Sequence, residues 1–282
     1  MGQLNIVDGY IDKITIIGNM KRNTMYPYLL KFLNDSLEPR IVGPYIADKP
    51  RYDRQVQIKT KDSQALVQMN SRVQEGSDFR IEFNPAKCDE QDMKFIFHML
   101  SMVENKECTR IDFCINFHQD TMCYRLIDGR RRKEKEYRGA GGRTESIYRG
   151  SEQSDDFIKM YNKKLEQKEV KYRDIEHNWC RIEQTITGNK AKRYGEWEWF
   201  KGIKLTSGEP IFPEGIDPKD KGNAYAVINK FMDLSDYKRS YKDKLKDIIS
   251  QTTYEEEFDV FEALKKTDIV SEATSVIQKL LS

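Results

Sequence analysis

RIDFCINF, residues 110–117, alternates along its length, so that Ile111, Phe113, Ile115 and Phe117 fall on one side of an extended chain and Arg110, Asp112, Cys114 and Asn116 on the other. The same Arg-Ile-acid opening recurs in RIEF (80–83) and RIEQTI (181–186). In each segment the strand period sets the arginine and the acid on one face and Ile81, Ile111 or Ile182 on the opposite face. Three such strands predict an α+β fold with an antiparallel β-sheet core, flanking helices and a helical C-terminal region. A sheet of this kind displays Glu82, Asp112 and Glu183 together, and oxygen donors of this type suit Mg²⁺ or Mn²⁺. Arg80, Arg110 and Arg181, two positions earlier, are placed to grip phosphate. A cross-strand ladder of arginine and carboxylate produces the same pattern, and both readings stand at this point. His98, His118 and His177 are scattered and form no His-x-His pair, so a metal would rest on carboxylates.

The rest of the chain is organised around this body. Its 282 residues are 38% hydrophobic and 11% aromatic, enough for a sizeable core although 33% are charged. A net charge of +2 leaves any nucleic-acid case to the placement of charge rather than its total. Five cysteines without a Cys-x-x-Cys pair argue against a disulfide framework or a zinc site and favour a reducing cytoplasm. No leader pattern and no membrane-length apolar run is present, so no membrane association is expected. DKITIIGN (12–19) reads as a strand, TMYPYLLKFLND (24–35) as a short helix, and CDEQDMKFIFHMLSMVEN (88–105) as a long helix after Asp89. EKEYRGAGGRTESIYRG (134–150) reads as a hairpin. Between 121 and 150 nine basic residues face four acidic ones, which makes this stretch the clearest phosphate-facing candidate. TSGEPIFPEGIDPKDKGN has the Gly/Pro density of a boundary loop, so residues 1–205 form the main body, 206–223 a linker and 224–282 the helical C-terminal region. There YAVINKFMDL, YKRSYKDKLKDIIS and EEEFDVFEALKK read as short helices, and DIVSEATSVIQKLL as a helix with Asp268 at its N-cap.

SDDFIKMYNKK (154–164) sets a tyrosine among cations. As a strand it shows Phe157, Lys159, Tyr161 and Lys163 on one face and turns Ile158 and Met160 toward a core. A free phenol has a pKa of about 10, so its activation at neutral pH corresponds to about 4 kcal/mol. Exposed lysines supply about 0.2–1 kcal/mol each, and a metal acting as Lewis acid several more. Tyr161 is one of fifteen tyrosines, and a packing role is the other reading of it.

IYRGSEQSDDFIKMYNKKLEQ (147–167) resembles the signature of the rolling-circle replication initiators of small Gram-positive plasmids, the Rep_trans group, which includes relaxases of integrative conjugative elements. KITIIGNM (13–20), RIEFNPAK (80–87), TRIDFCINF (109–117) and NWCRIEQTI (178–186) follow in the family's order. The resemblance implies that Tyr161 is the nucleophile that nicks one strand of origin DNA and is joined to it as a phosphotyrosine; from the residues themselves, Lys159 or Lys163 with a metal is its expected catalytic neighbour. It implies dependence on Mg²⁺ or Mn²⁺, with Glu82, Asp112 and Glu183 as the matching carboxylates. It also implies a homodimer, a host helicase, and double-stranded origin DNA with an exposed single strand as partners. DNA contacts are expected from Arg110, Arg149, Lys159, Lys164 and Arg181. Origin recognition falls to the C-terminal part, where Lys238, Arg239 and Lys242 stand at partly helical spacing, although Asp236, Asp243 and Asp247 make a solvated charged face the alternative. Two positions depart from the family pattern. Asn116 stands where a second aspartate is common and Glu152 where an arginine is common. Trp197 and Trp199 share a strand face, suited to stacking on unpaired bases or to packing. A conjugative relaxase, a non-catalytic DNA-binding regulator and a hydrolytic nuclease remain the alternative functions.

Overall fold

The computed structural model describes residues 4–20, 41–44, 51–73, 77–129, 133–139, 141–171, 174–229 and 231–282. The helix expected over 24–35, and Arg130, Arg131 and Arg132 of the basic stretch, lie outside the described residues. Thirteen strands and seven helices follow in order among them. The strands are β1 (Asp8–Met20), β2 (Ile41–Pro44), β3 (Tyr52–Lys59), β4 (Gln64–Ser71), β5 (Phe79–Phe83), β6 (Val103–Phe117), β7 (Arg125–Asp128), β8 (Glu134–Arg138), β9 (Thr144–Arg149), β10 (Asp156–Asn162), β11 (Cys180–Thr187), β12 (Ile203–Ile211) and β13 (Thr253–Asp259). The helices are α1 (Glu90–Ser101), α2 (Lys163–Lys171), α3 (Gly188–Lys192), α4 (Pro218–Ile228), α5 (Arg239–Gln251), α6 (Val260–Leu264) and α7 (Ile269–Leu281).

Ten strands join in one sheet of order β2-β3-β4-β5-β1-β6-β11-β10-β9-β8, and every pair is antiparallel. The three Arg-Ile-acid segments are β5, β6 and β11, close to the centre, and the fold is α+β as the alternation predicts. Registers Ile16↔Ile81, Ile14↔Ile111 and Ile186↔Ile111 line the isoleucines up on one face, and all of them are fully buried. That face is covered by α1, α7 and a second sheet of order β13-β12-β7, and together they enclose the main core. Phe113 is at its centre, 4.8 Å from the Trp199 ring and 5.9 Å from the Phe200 ring. Trp199 is therefore a packing residue rather than a base-stacking one. Phe113→Ala should destabilise the protein by about 3–5 kcal/mol in denaturant unfolding, because it empties a fully closed site. A loss below about 1 kcal/mol would mean that this core is not close-packed.

Several elements follow from local chemistry. Helix α1 begins where Asp89 accepts the amide of Asp92 while the Asp92 carboxylate accepts that of Asp89, a reciprocal cap. Gly9 in β1 is where α7 comes closest, since a Cβ there would lie 2.7 Å from Ile269 Cγ2. The cysteines are free, and burial pushes the Cys108 and Cys114 thiols up to about 12, which keeps them inert. Among the described residues no helix is long and apolar enough to cross a membrane.

The C-terminal third departs from the sequence reading. Residues 206–211 are not loop but the second half of β12, and α4 already begins at Pro218 rather than at Tyr225. Residues 255–259, expected as the start of a helix, belong to β13, because pairing with β12 puts Phe258 against Phe117 at 6.1 Å. Asp259 then caps α6 by accepting the amide of Glu262. Ala224, Leu245 and Ile248 of α4 and α5 form a small core of their own, whereas Val260, Leu264, Ile277 and Leu280 belong to the main one.

Candidate active site

The sheet face opposite the isoleucines carries the polar residues. On β10, Ile158 and Met160 are fully buried toward the core, and Lys159 and Tyr161 are half-buried on the other side. The strand stops at Asn162, whose Oδ1 accepts the amide of Leu165 at 2.9 Å and caps α2. Lys163 is thus the first residue of a helix, not the next residue of the strand face. The turn still returns its Nζ to 3.4 Å from the Tyr161 Oη. Lys163 is 7% exposed and paired with Glu166. Burial and the nearby Arg181 hold its pKa below that of an ordinary lysine, against the pull of Glu166.

Cross-strand register places Arg181 opposite Tyr161, and Asn116 opposite Arg181. Arg181 is 2% exposed, and each of its three guanidinium nitrogens has a partner. Nε donates to Asn116 Oδ1 at 2.9 Å, Nη1 to Asp12 Oδ1 at 3.3 Å, and Nη2 to the Tyr10 hydroxyl. Asp12 reaches this position because β1 bulges against β6 between Ile11 and Lys13, which turns an extra residue onto the polar face. Asn116 also accepts from Trp179 Nε1 at 2.9 Å and donates to Asp8. The asparagine that departs from the family pattern is thus the anchor of the buried arginine. Burial pushes the Tyr161 phenol well above its ordinary value; Arg181 opposes this, and Glu183, Glu166 and Asp12 add to it. The phenol is neutral at rest, with a buried cation on one side and a lysine of depressed pKa on the other.

The three carboxylates share the face but do not meet. Glu82 is held by Lys13 at 3.0 Å, Thr15 at 3.1 Å and Arg80 at 2.6 Å. Burial works against its ionisation, yet these partners hold its pKa below the ordinary value. Asp112 takes two bonds of 2.9 Å from Arg110. The arginine–carboxylate pairs of β5 and β6 lie within one strand, between residues i and i+2, and are not the cross-strand ladder of the alternative reading. The cross-strand ion pairs come from lysines, Lys13 with Glu82 and Lys159 with Glu183 at 3.6 Å, while Arg181 of β11 turns to Asn116 and Asp12. Among the described residues no group of three or more His, Cys, Asp or Glu side chains is arranged to hold a metal. As placed, Glu82, Asp112 and Glu183 do not fit a single three-carboxylate centre, because each is already bound to a cation of the chain itself.

Glu183 gives a test of this electrostatic picture. Burial raises its pKa, Lys159 opposes that, and Asp112 and Asp12 raise it further. A carboxyl whose folded pKa exceeds its unfolded one contributes stability below the unfolded value and loses it as pH rises through the folded value. Glu183→Gln should therefore match the parent near pH 4 and exceed it at pH 8, by about 2 °C or more in Tm, the size of a ~1 kcal/mol effect. A difference that does not depend on pH would contradict it.

The expected DNA contacts divide. Lys238 and Arg239 are exposed at the start of α5, and Lys242 is half-buried one turn on. Arg110 is 36% exposed although its guanidinium lies on Asp112, and Lys159 sits between Glu183 and the Tyr148 ring, 5.9 Å from the ring centre. Lys164 donates to the Glu176 carbonyl at 3.0 Å. Two assignments need correction as phosphate contacts. Arg181 is sealed within the sheet with its donors engaged. Arg149 lies on the opposite face, bound to Glu134 and the Leu126 carbonyl. Among the described cations of 121–150, Arg143 likewise pairs with Asp120 and Arg138 with Glu136. Tyr10, Asp12 and Glu166 were not picked out from the sequence, and only a bulge that the alternation does not reveal would have pointed to Asp12.

The site is thus an antiparallel sheet that presents a tyrosine hydroxyl beside a buried arginine and a buried lysine. The comparisons specify it further. No family model matches the chain. Over 266 residues it is 26% identical to a replication initiation protein of Staphylococcus aureus, covering 91% of this chain and 79% of that one. A second protein of the same name and organism is 24% identical over 266 residues, covering 92% and 79%. A third is 31% identical over 176 residues, 60% of this chain and 53% of that one. The chain is a homologue of the staphylococcal replication initiation proteins, as its ordered motifs imply. Among solved structures, the rolling circle replication initiator protein from Geobacillus stearothermophilus aligns over 86% of this chain and 97% of that one, with a TM-score of 0.48 and 12% identity.

Proposed function

We propose that the protein initiates plasmid rolling-circle replication by nicking and rejoining one strand of origin DNA through a phosphotyrosine on Tyr161. The observation that carries this reading is the Tyr161 Oη, 3.4 Å from Lys163 Nζ and opposite Arg181 on the polar sheet face. In the nicking step the phenol oxygen forms a bond to phosphorus, and the bond from phosphorus to one deoxyribose oxygen breaks. The phenol proton passes to a base, and the displaced oxygen takes up a proton to leave as a hydroxyl. Lys163, its ammonium form disfavoured by burial, is the nearest basic group to receive that proton. Arg181 cannot leave its partners to follow the phosphate, so its part is to stabilise the phenolate. Because phosphotyrosine conserves the bond energy, the same steps in reverse rejoin the strand.

Mg²⁺ or Mn²⁺ at Asp112 and Glu183 would require their release from Arg110 and Lys159, and no step is assigned to the ion. The exposed Lys238 and Arg239 of α5 are assigned to duplex origin contact, and a homodimer and a host helicase complete the reading. A relaxase of conjugative transfer would use the same chemistry at this site. The test is incubation with labelled origin DNA and Mg²⁺, denaturation, and electrophoresis. Label that migrates with the protein is the expected result. Nicked DNA with free ends and unlabelled protein would replace the transferase with a hydrolytic nuclease.

A further inference from the structure

The polar face continues past Tyr161 to the open edge of the sheet, and its residues there differ in kind from those at the centre. Register places Tyr161, Ser146 and Tyr137 in one row across β10, β9 and β8, and Lys159, Tyr148 and Lys135 in the next. The rings are in contact. Tyr137 lies 5.0 Å from Tyr148, and Tyr148 meets Phe157 edge-on at 5.6 Å. Lysines border them, with Lys135 Nζ 4.6 Å from the Tyr137 ring centre and Lys159 Nζ 5.9 Å from that of Tyr148. Tyr137 is 38% exposed on an edge strand, one of few large hydrophobic side chains open to solvent among the described residues. Two strand spacings, about 10 Å, separate it from the row position of Tyr161. The other face of the same hairpin is closed by its own ion pairs, Arg149 with Glu134 and Arg138 with Glu136.

An aromatic pair with one ring open to solvent, the other half-buried and an ammonium group beside each matches a single strand of nucleic acid, in which bases stack and phosphates need cations. We infer that Tyr137 and Tyr148 form a stacking platform for an unpaired base of the strand that enters the Tyr161 site, with Lys135 and Lys159 following its backbone. This rests on the proposed nicking function only for the direction of the strand; the binding itself is separable from it. Ser146, the small residue between Tyr137 and Tyr161, leaves room over β9 for the base.

The experiment measures binding of a fluorescent twenty-nucleotide thymidine strand by anisotropy, beside a strand of the same length carrying abasic residues. All variants are made in the Tyr161→Phe background, so that no covalent chemistry contributes. Tyr137→Ala and Tyr148→Ala should each weaken binding of the thymidine strand about 5- to 150-fold, while the abasic strand binds every variant alike. Tyr137→Phe should bind as the parent, because it keeps the ring. Equal binding of the thymidine strand by the alanine variants would overturn the inference, and so would an equal loss on both strands, which would point to a disturbed edge rather than to stacking. Failure of the covalent adduct test would leave these outcomes unchanged.

Discussion

Tyr161→Phe should abolish the covalent protein–DNA product and lower strand nicking by at least about 10³-fold, the scale on which removal of a nucleophile is felt. The substitution keeps the ring and its packing and removes only the oxygen. Among the described residues the hydrogen bond lost is the 3.4 Å contact with Lys163, so stability should change by no more than about 1 kcal/mol. This separates chemistry from folding, and the measurement is label retained on protein after denaturation, read beside a thermal melt. The parent's nicking should also climb with pH across the neutral and alkaline range, because burial pushes the phenol above its ordinary value and the reactive form is the deprotonated one. A variant that still forms the adduct would move the nucleophile to another tyrosine. Tyr148 is next to be tested, since it shares the polar face one strand away.

How much of this was legible beforehand is clearest at the three Arg-Ile-acid strands. Alternation is a property of the chain itself, so the isoleucine face, the polar face and the antiparallel core followed from RIDFCINF and its two counterparts. The same logic failed at residues 206–211, where Gly and Pro suggested a loop. In the fold Gly208 takes a φ of +81° at an irregularity between Ser207 and Pro210, the setting in which a strand tolerates both residues. It failed again at EEEFD, where the run of glutamates favours helix but partnership with β12 prevails. In the site, strand alternation put Lys163 beside Tyr161; the structure brings the two together by another route, a strand that ends on the Asn162 cap and a helix that begins at Lys163. The partners of Arg181 were not legible in the sequence. They come from two other strands, β1 and β6, Asp12 through a bulge, and equal spacing made Arg181 look like Arg80 and Arg110. The carboxylates were read correctly as sharing a face, but sharing a face does not fix where their charges go, and neighbouring cations took each of them.

Arg181→Met should be the most destabilising single change in the polar layer, by about 3–5 kcal/mol, because it leaves buried partners without their cation. Asp12 would lose its charge partner, Asn116 Oδ1 one of its two donors, and the Tyr10 hydroxyl, pushed up to about 12 chiefly by burial, its guanidinium contact. At this chain length such a loss corresponds to a fall in Tm on the order of 10 °C. Nicking should fall further than folding explains, since Arg181 is the cation that most opposes the rise of the Tyr161 pKa. The pH at which nicking rises should therefore move upward in the variant, a shift that simple loosening of the sheet would not produce. Arg181→Lys keeps the charge but not the planar fork, and one ammonium cannot meet Asn116, Asp12 and Tyr10 in the same geometry, so it should recover stability only in part. Adding Asp12→Asn to Arg181→Met removes the orphaned carboxylate, and the double variant should be more stable than Arg181→Met alone. If the pH profile of nicking stays in place while stability falls, Arg181 is a structural strut, and the field that prepares the phenol must come from Lys163 and the DNA itself.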